Sequence, residues 1–121
     1  MGKTILIVDD SASMRQLISF TVKDAGYEIV SAANGGEALA KIAGVKIDMV
    51  ITDLNMPEMD GITLIRQLRA LQEFRFVPII MLTTEAQDAK RQDGRTAGAS
   101  GWIVKPFSPE KLLEVVRKFV K

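Results

Sequence analysis

Five short apolar runs constrain this chain more than any other feature of its sequence. They are Thr4 to Val8, Tyr27 to Ala32, Met49 to Asp53, Val77 to Leu82 and Trp102 to Val104. The runs are continuous rather than alternating, the pattern of a strand covered on both faces. Between them, apolar residues recur at helical spacing: Met14, Leu17, Ile18, Thr21, Val22 and Ala25; Ala38, Leu39 and Ile42; Leu64, Ile65, Leu68 and Leu71; Leu112, Val115, Val116, Phe119 and Val120. Helix punctuation fits these segments. Ser11 or Ser13 can cap the first, and Gly26 ends it. Asn34 with Glu37 resembles a capping box before the second, which Gly44 closes, and Gly61 starts the third. Ser108 followed by Pro109 opens the fifth. The fourth helix, after a capping box at Thr84 to Gln87, is the exception. Lys90, Arg91, Gln92, Asp93, Gly94 and Arg95 leave it almost no apolar face, and Gly94 costs about 1 kcal/mol against Ala. Five strands alternating with five helices through short loops predict an α/β fold. It is a doubly wound, five-stranded parallel sheet with helices on both faces.

Composition narrows the chemistry. The chain of 121 residues is 47% apolar, which suits one packed domain over residues 1–121 with no output domain. Its 16 basic and 15 acidic residues leave a net charge of +1, so neither nucleic acid nor an anionic membrane is an expected partner. It has no cysteine and no histidine, which excludes disulfides, thiolate or imidazole metal sites, and a histidine general base. No apolar run reaches membrane-spanning length, and neither a signal peptide nor a myristoylation pattern opens the chain, so a cytoplasmic location is expected. Carboxylates, hydroxyls, lysines and arginines must do the work.

In open parallel sheets, ligands bind beyond the carboxyl ends of the strands. Here the first run delivers Asp9 and Asp10, the third Asp53, the fourth Thr83 and Thr84, and the fifth Lys105 and Pro106. The second delivers only Ala33 and Asn34. Two unit charges about 4 Å apart repel by about 4 kcal/mol at an effective dielectric near 20. Three carboxylates at one edge therefore need cations between them. Lys105 can neutralise one, and the remainder invites a hard divalent ion, for which magnesium (Mg²⁺) suits a site of few carboxylates and several waters. This is a phosphoryl-acceptor site in outline. Asp53 would be the nucleophile and form an aspartyl phosphate, Thr83 would donate a hydrogen bond to a phosphoryl oxygen, and Lys105 and Mg²⁺ would offset its charge. Taken singly, each residue has a plainer role: Asp9, Asp10 and Thr83 as helix caps, Lys105 on the surface, Trp102 in the core or against a partner. Their joint occurrence at four strand ends is what points to the site.

Val8-Asp9-Asp10, Asp53 with Asn55-Met56-Pro57 and Met59-Asp60-Gly61, Thr83, and Lys105-Pro106-Phe107 resemble, over the whole chain, the receiver domains of two-component response regulators. The length, and Gly98-Ala99-Ser100-Gly101 before Trp102, are most similar to the CheY chemotaxis class. The resemblance implies a flavodoxin/CheY-like sheet in the order 2-1-3-4-5. It implies that Asp53 is phosphorylated by a sensor histidine kinase of the CheA type. It implies that Mg²⁺ is held by Asp10, Asp53, the backbone carbonyl of Asn55 and, through water, Asp9. Lys105 would contact the phosphoryl group, and its bond to Pro106 would be cis. Thr83 would move toward the phosphoryl group, with Trp102 changing rotamer. Asn55 and Glu85 would tune self-dephosphorylation. An output protein would bind the face made by the fourth helix, fifth strand and fifth helix, and a phosphatase is a further partner. A monomer that turns over no substrate is expected. Two departures stand out: Trp102 replaces the more usual tyrosine, and the fourth helix carries Arg91 and Arg95.

Three rival readings exist. A haloacid-dehalogenase-type phosphatase needs a second Asp two residues after the first, where this chain has Ser11 after Asp9. A flavodoxin-like carrier needs a phosphate-binding loop after the first strand, where two carboxylates would repel FMN. A phosphate sink or unphosphorylated adaptor keeps the fold and changes its use.

Overall fold

The apolar runs and the helical segments both take the structures their spacing predicts in a computed structural model, which describes residues 2–84 and 89–120. In chain order the elements are β1 (Thr4–Val8), α1 (Ala12–Asp24), β2 (Glu28–Ala32), α2 (Gly35–Lys41), β3 (Met49–Asp53), α3 (Gly61–Arg69), β4 (Ile79–Thr84), α4 (Lys90–Ala97), β5 (Gly101–Lys105) and α5 (Pro109–Phe119). A 3₁₀ turn, Gln72–Phe74, lies between α3 and β4. All strand pairings are parallel, in the order β2-β1-β3-β4-β5.

Successive residues of each strand feed opposite layers. Leu6, Val50, Ile79 and Met81 pack with Leu64, Ile65 and Leu68 of α3 and with Ala38 of α2. Ile5, Ile7, Met49, Ile51 and Leu82 pack with Ile18 and Val22 of α1 and with Leu112 and Val116 of α5. Each such side chain contributes about 1.5–3 kcal/mol by leaving water. The central strand β3 is buried along its whole length. Three strands differ at their ends from the sequence reading. β2 begins one residue later, at Glu28. β4 begins and ends two residues later, so Thr83 and Thr84 lie within it, and β5 extends to include Lys105. Two leucines also differ. Leu17 is 46% exposed, because the inward stripe of α1 runs through Ile18 and Val22. Leu71 is exposed because α3 stops at Arg69 and helical spacing no longer places it.

Ser11, not Ser13, caps α1, accepting a hydrogen bond from the Met14 amide at 3.3 Å. The Asn34 box closes in both directions. The Glu37 amide donates to Asn34 Oδ1 at 2.7 Å, and the Ala33 amide donates to Glu37 Oε1 at 3.0 Å. The expected box at Thr84 to Gln87 falls largely outside the described residues. The α4 N-cap is Ala89, which has no side-chain oxygen to offer. Gly94, a poor helix former, has a packing reason: a Cβ there would sit 2.6 Å from Met81 Cε.

Arg69 fastens the ends of α3 and α4 together. Its guanidinium donates to the carbonyl of Gly98 through Nε at 3.0 Å and Nη2 at 2.8 Å, to Val77 through Nη1 at 2.7 Å, and to the carbonyl of Phe74. Sequence periodicity gives no sign of it, since Arg69 reads as an ordinary basic residue in a last helical turn. Arg69→Met keeps the stem and removes every donor. It is expected to cost about 2–4 kcal/mol, because half-buried carbonyls lose a charged partner. The measurement is the urea midpoint at unchanged slope. A loss below about 0.5 kcal/mol, the range of ordinary surface changes, would show that water replaces the guanidinium.

Candidate functional site

Strand register assembles the site. Val8 pairs with Thr52, so Asp9 and Asp53 leave β1 and β3 side by side. Asp53 pairs with Leu82, Thr83 with Val104 and Thr84 with Lys105, which brings β4 and β5 to the same edge. Carboxylate oxygens of Asp9, Asp10 and Asp53 all lie within 4.8 Å of one another. Asp9 is wholly buried, Asp53 is 8% exposed, and Asp10 is exposed.

Each buried carboxylate is held differently. Asp53 Oδ1 accepts from its neighbour's amide, Leu54, at 2.9 Å and from Lys105 Nζ at 3.0 Å. Its second oxygen, Oδ2, has no hydrogen bond among the described residues. Asp9 Oδ1 accepts from the Ser11 amide at 2.9 Å. This Asx turn was legible in principle, because Asp commonly bonds the amide two residues on. Asp9 Oδ2 is buried without a hydrogen bond among the described residues, with Lys105 Nζ 3.8 Å away. Burial pushes the Asp9 carboxyl above the usual aspartate range. The Ser11 amide opposes this, the charge on Asp53 adds to it, Lys105 opposes it, and Asp10 adds to it.

Three carboxylates share one ammonium, and repulsion between two of them about 5 Å apart is about 3 kcal/mol at an effective dielectric near 20. The donor set is all oxygen and largely anionic, and Asp9 Oδ2 has an unmet partner. Those features fit a hard divalent cation such as Mg²⁺.

The loop after β3 is tightly built. The Gly61 amide donates to the Leu54 carbonyl at 2.8 Å. A Cβ at Gly61 would overlap the Asp53 carbonyl oxygen and lie 3.1 Å from Leu54 Cα, so only glycine lets α3 start this close to the acceptor. Glu58 adopts a left-handed φ of 69°, which costs about 1–2 kcal/mol for a residue with a Cβ. Asn55 stands exposed at the start of this loop. Thr83 is wholly buried, and its hydroxyl has no hydrogen-bond partner among the described residues. The Lys105–Pro106 peptide bond is cis. Trp102 is half-buried, opposite Met81 in register and packed on the α3 side of the sheet. Glu85 lies outside the described residues.

A profile described as the response regulator receiver domain matches residues 5–117. The chain is 44% identical over 112 residues to chemotaxis protein CheY1 of Helicobacter pylori strain J99, covering 91% of this chain and 90% of that protein. It is 39% identical over 122 residues to chemotaxis protein CheY of Thermotoga maritima, covering 100% of both. Among solved structures, chemotaxis protein CheY4 of Vibrio cholerae superposes with a TM-score of 0.95 at 46% identity, covering 99% of this chain and 100% of that one.

The Asp9 environment gives a signed prediction. Its folded-state pKa is raised, so folding favours the protonated form. In metal-free protein that contribution is present in acid and lost as pH rises through the folded-state pKa. Asp9→Asn removes the loss. In EDTA at neutral pH the variant is expected to unfold at a higher urea concentration than wild type. The gap should close in acid below the ordinary aspartate range, and Mg²⁺ binding should weaken. A variant less stable than wild type at neutral pH in EDTA would contradict this.

Proposed function

The chain belongs to the response regulator receiver family, and we propose that Asp53 is its phosphoryl acceptor, charged by a sensor histidine kinase of the CheA type. The observation that carries the proposal is the state of the Asp53 carboxylate. Lys105 and the Leu54 amide fix one oxygen, while the other is uncommitted beside Asp9 and Asp10.

Asp53 Oδ2 attacks phosphorus of a phosphohistidine on the kinase. The phosphorus–nitrogen bond breaks, and the imidazole leaves with its electron pair and takes a proton from water. Asp10, Asp53, the backbone carbonyl of Asn55 and, through water, Asp9 would hold Mg²⁺, which when bound neutralises charge on the phosphoryl oxygens. Lys105 Nζ, already 3.0 Å from the nucleophilic carboxylate, donates to the phosphoryl group as it arrives. Thr83 then has what its buried hydroxyl lacks at rest, an acceptor. An unmet buried hydroxyl costs about 1–3 kcal/mol, and that sum is available to bias a two-state surface. Trp102, on the same sheet face one strand away, follows Thr83. The α4–β5–α5 face would report the change to an output protein, in chemotaxis by similarity to the CheY proteins. Asn55 and Glu85 would tune loss of the phosphoryl group, with or without a phosphatase. The chain would act as a monomeric cytoplasmic switch rather than a turnover enzyme. Among the described residues, no helix is long and apolar enough to cross a membrane.

Intact mass spectrometry after incubation with acetyl phosphate and Mg²⁺ tests this. Wild type is expected to gain one phosphoryl group, labile to hydroxylamine. Asp53→Asn should gain none, and Lys105→Met should react about 100-fold more slowly, the effect of losing one donor to developing charge. No adduct on wild type with any small donor would favour the adaptor reading instead.

A further inference from the structure

The two departures of this chain from its family's pattern meet in space. Arg91 and Arg95 are four residues apart on α4 and share one helical face. Their guanidinium carbons lie 5.1 and 5.3 Å from the centroid of the Trp102 ring on β5. Indole is the best aromatic partner for a cation, so the larger ring and the polar helix are one device rather than two anomalies. α4 is also held against α3 and packs Ala97 on the α3-side core. Gly94 is its buried residue, seated on Met81, and Arg69 ties down its C-terminal end at Gly98. The cation pair joins α4 to β5 directly.

We propose that Arg91 and Arg95 are positioning residues that clamp Trp102 against α4 and so set the balance between the resting and switched surfaces. Trp102 cannot leave its place to follow Thr83 without breaking both ring contacts. Two exposed cation–π contacts bias that equilibrium by about 5- to 30-fold toward rest. The clamp rests on geometry alone, while its effect on switching rests on the phosphoacceptor reading above.

Trp102 is the single tryptophan, so its fluorescence reports the clamp directly. The experiment uses the full chain with Mg²⁺, as wild type, the double variant Arg91→Gln/Arg95→Gln, and the double variant Arg91→Lys/Arg95→Lys. Acrylamide, an uncharged quencher, avoids any effect of the lost charges on quencher concentration. In unphosphorylated protein, the glutamine variant is expected to show altered quenching and emission, and the lysine variant to stay near wild type. With acetyl phosphate, the glutamine variant should be phosphorylated several-fold faster at an unchanged Mg²⁺ dissociation constant. Equal quenching in wild type and the glutamine variant would overturn the clamp, as would a lysine variant that behaves like glutamine. Altered quenching with an unchanged phosphorylation rate would overturn its control of the switch. Absence of any adduct on wild type would instead overturn the phosphoacceptor reading, and quenching would still decide the clamp.

Discussion

Crowded negative charge at the carboxyl edge of the sheet is the constraint on which the rest of this molecule depends. Parallel pairing forces it: with β1 beside β3 and β5 beside β4, Asp9, Asp10, Asp53 and Lys105 have nowhere else to go. Lys105, 3.0 Å from Asp53 and 3.8 Å from Asp9, makes the arrangement tolerable without satisfying it. The protein is thus folded around a site with an unmet demand for positive charge. The apolar layers on either side of β3 supply the stability that this demand opposes.

Most of that site could be read from the sequence because charge interrupts apolar runs at three strand ends and hydroxyls follow a fourth. A strand as buried as Met49 to Asp53 has no ordinary reason to close on a carboxylate, so Asp53 declared itself. Backbone-level features were harder. The rule that Gly61 must be glycine depends on how near α3 starts to the Asp53 carbonyl, a distance no periodicity encodes. Thr83 and Lys105 were expected just beyond their strands and lie within them, because pairing to neighbours, not residue type, sets where a strand stops. Leu17 and Leu71 show the same limit, since apolar character marks a helix face only to within a residue and only inside the helix. Arg69 was invisible because its partners are carbonyls of two separate connections, α3–β4 and α4–β5, brought together by the fold alone.

The contrast between β3 and α4 links structure to signalling. One is buried along its length and ends at the proposed acceptor, Asp53. The other has one fully buried residue, Gly94, and belongs to the face proposed to carry the report. Elements with few buried apolar contacts sit at the low-stability end of a structure, and moving parts are drawn from that end. The i, i+4 spacing of Arg91 and Arg95 was available in the sequence; that both would find Trp102 was not.

The charge-crowding account is tested most directly by unfolding free energy as a function of Mg²⁺ concentration, with ionic strength held constant by a monovalent salt. An ion that binds the folded carboxylates and not the unfolded chain stabilises by RT ln(1 + [L]/Kd), about 1.4 kcal/mol per tenfold rise above Kd. Wild type is predicted to follow that line, and Asp10→Asn to lose most of the slope. A wild-type stability indifferent to Mg²⁺ would contradict the claim that the carboxylates at this edge are built to share a cation.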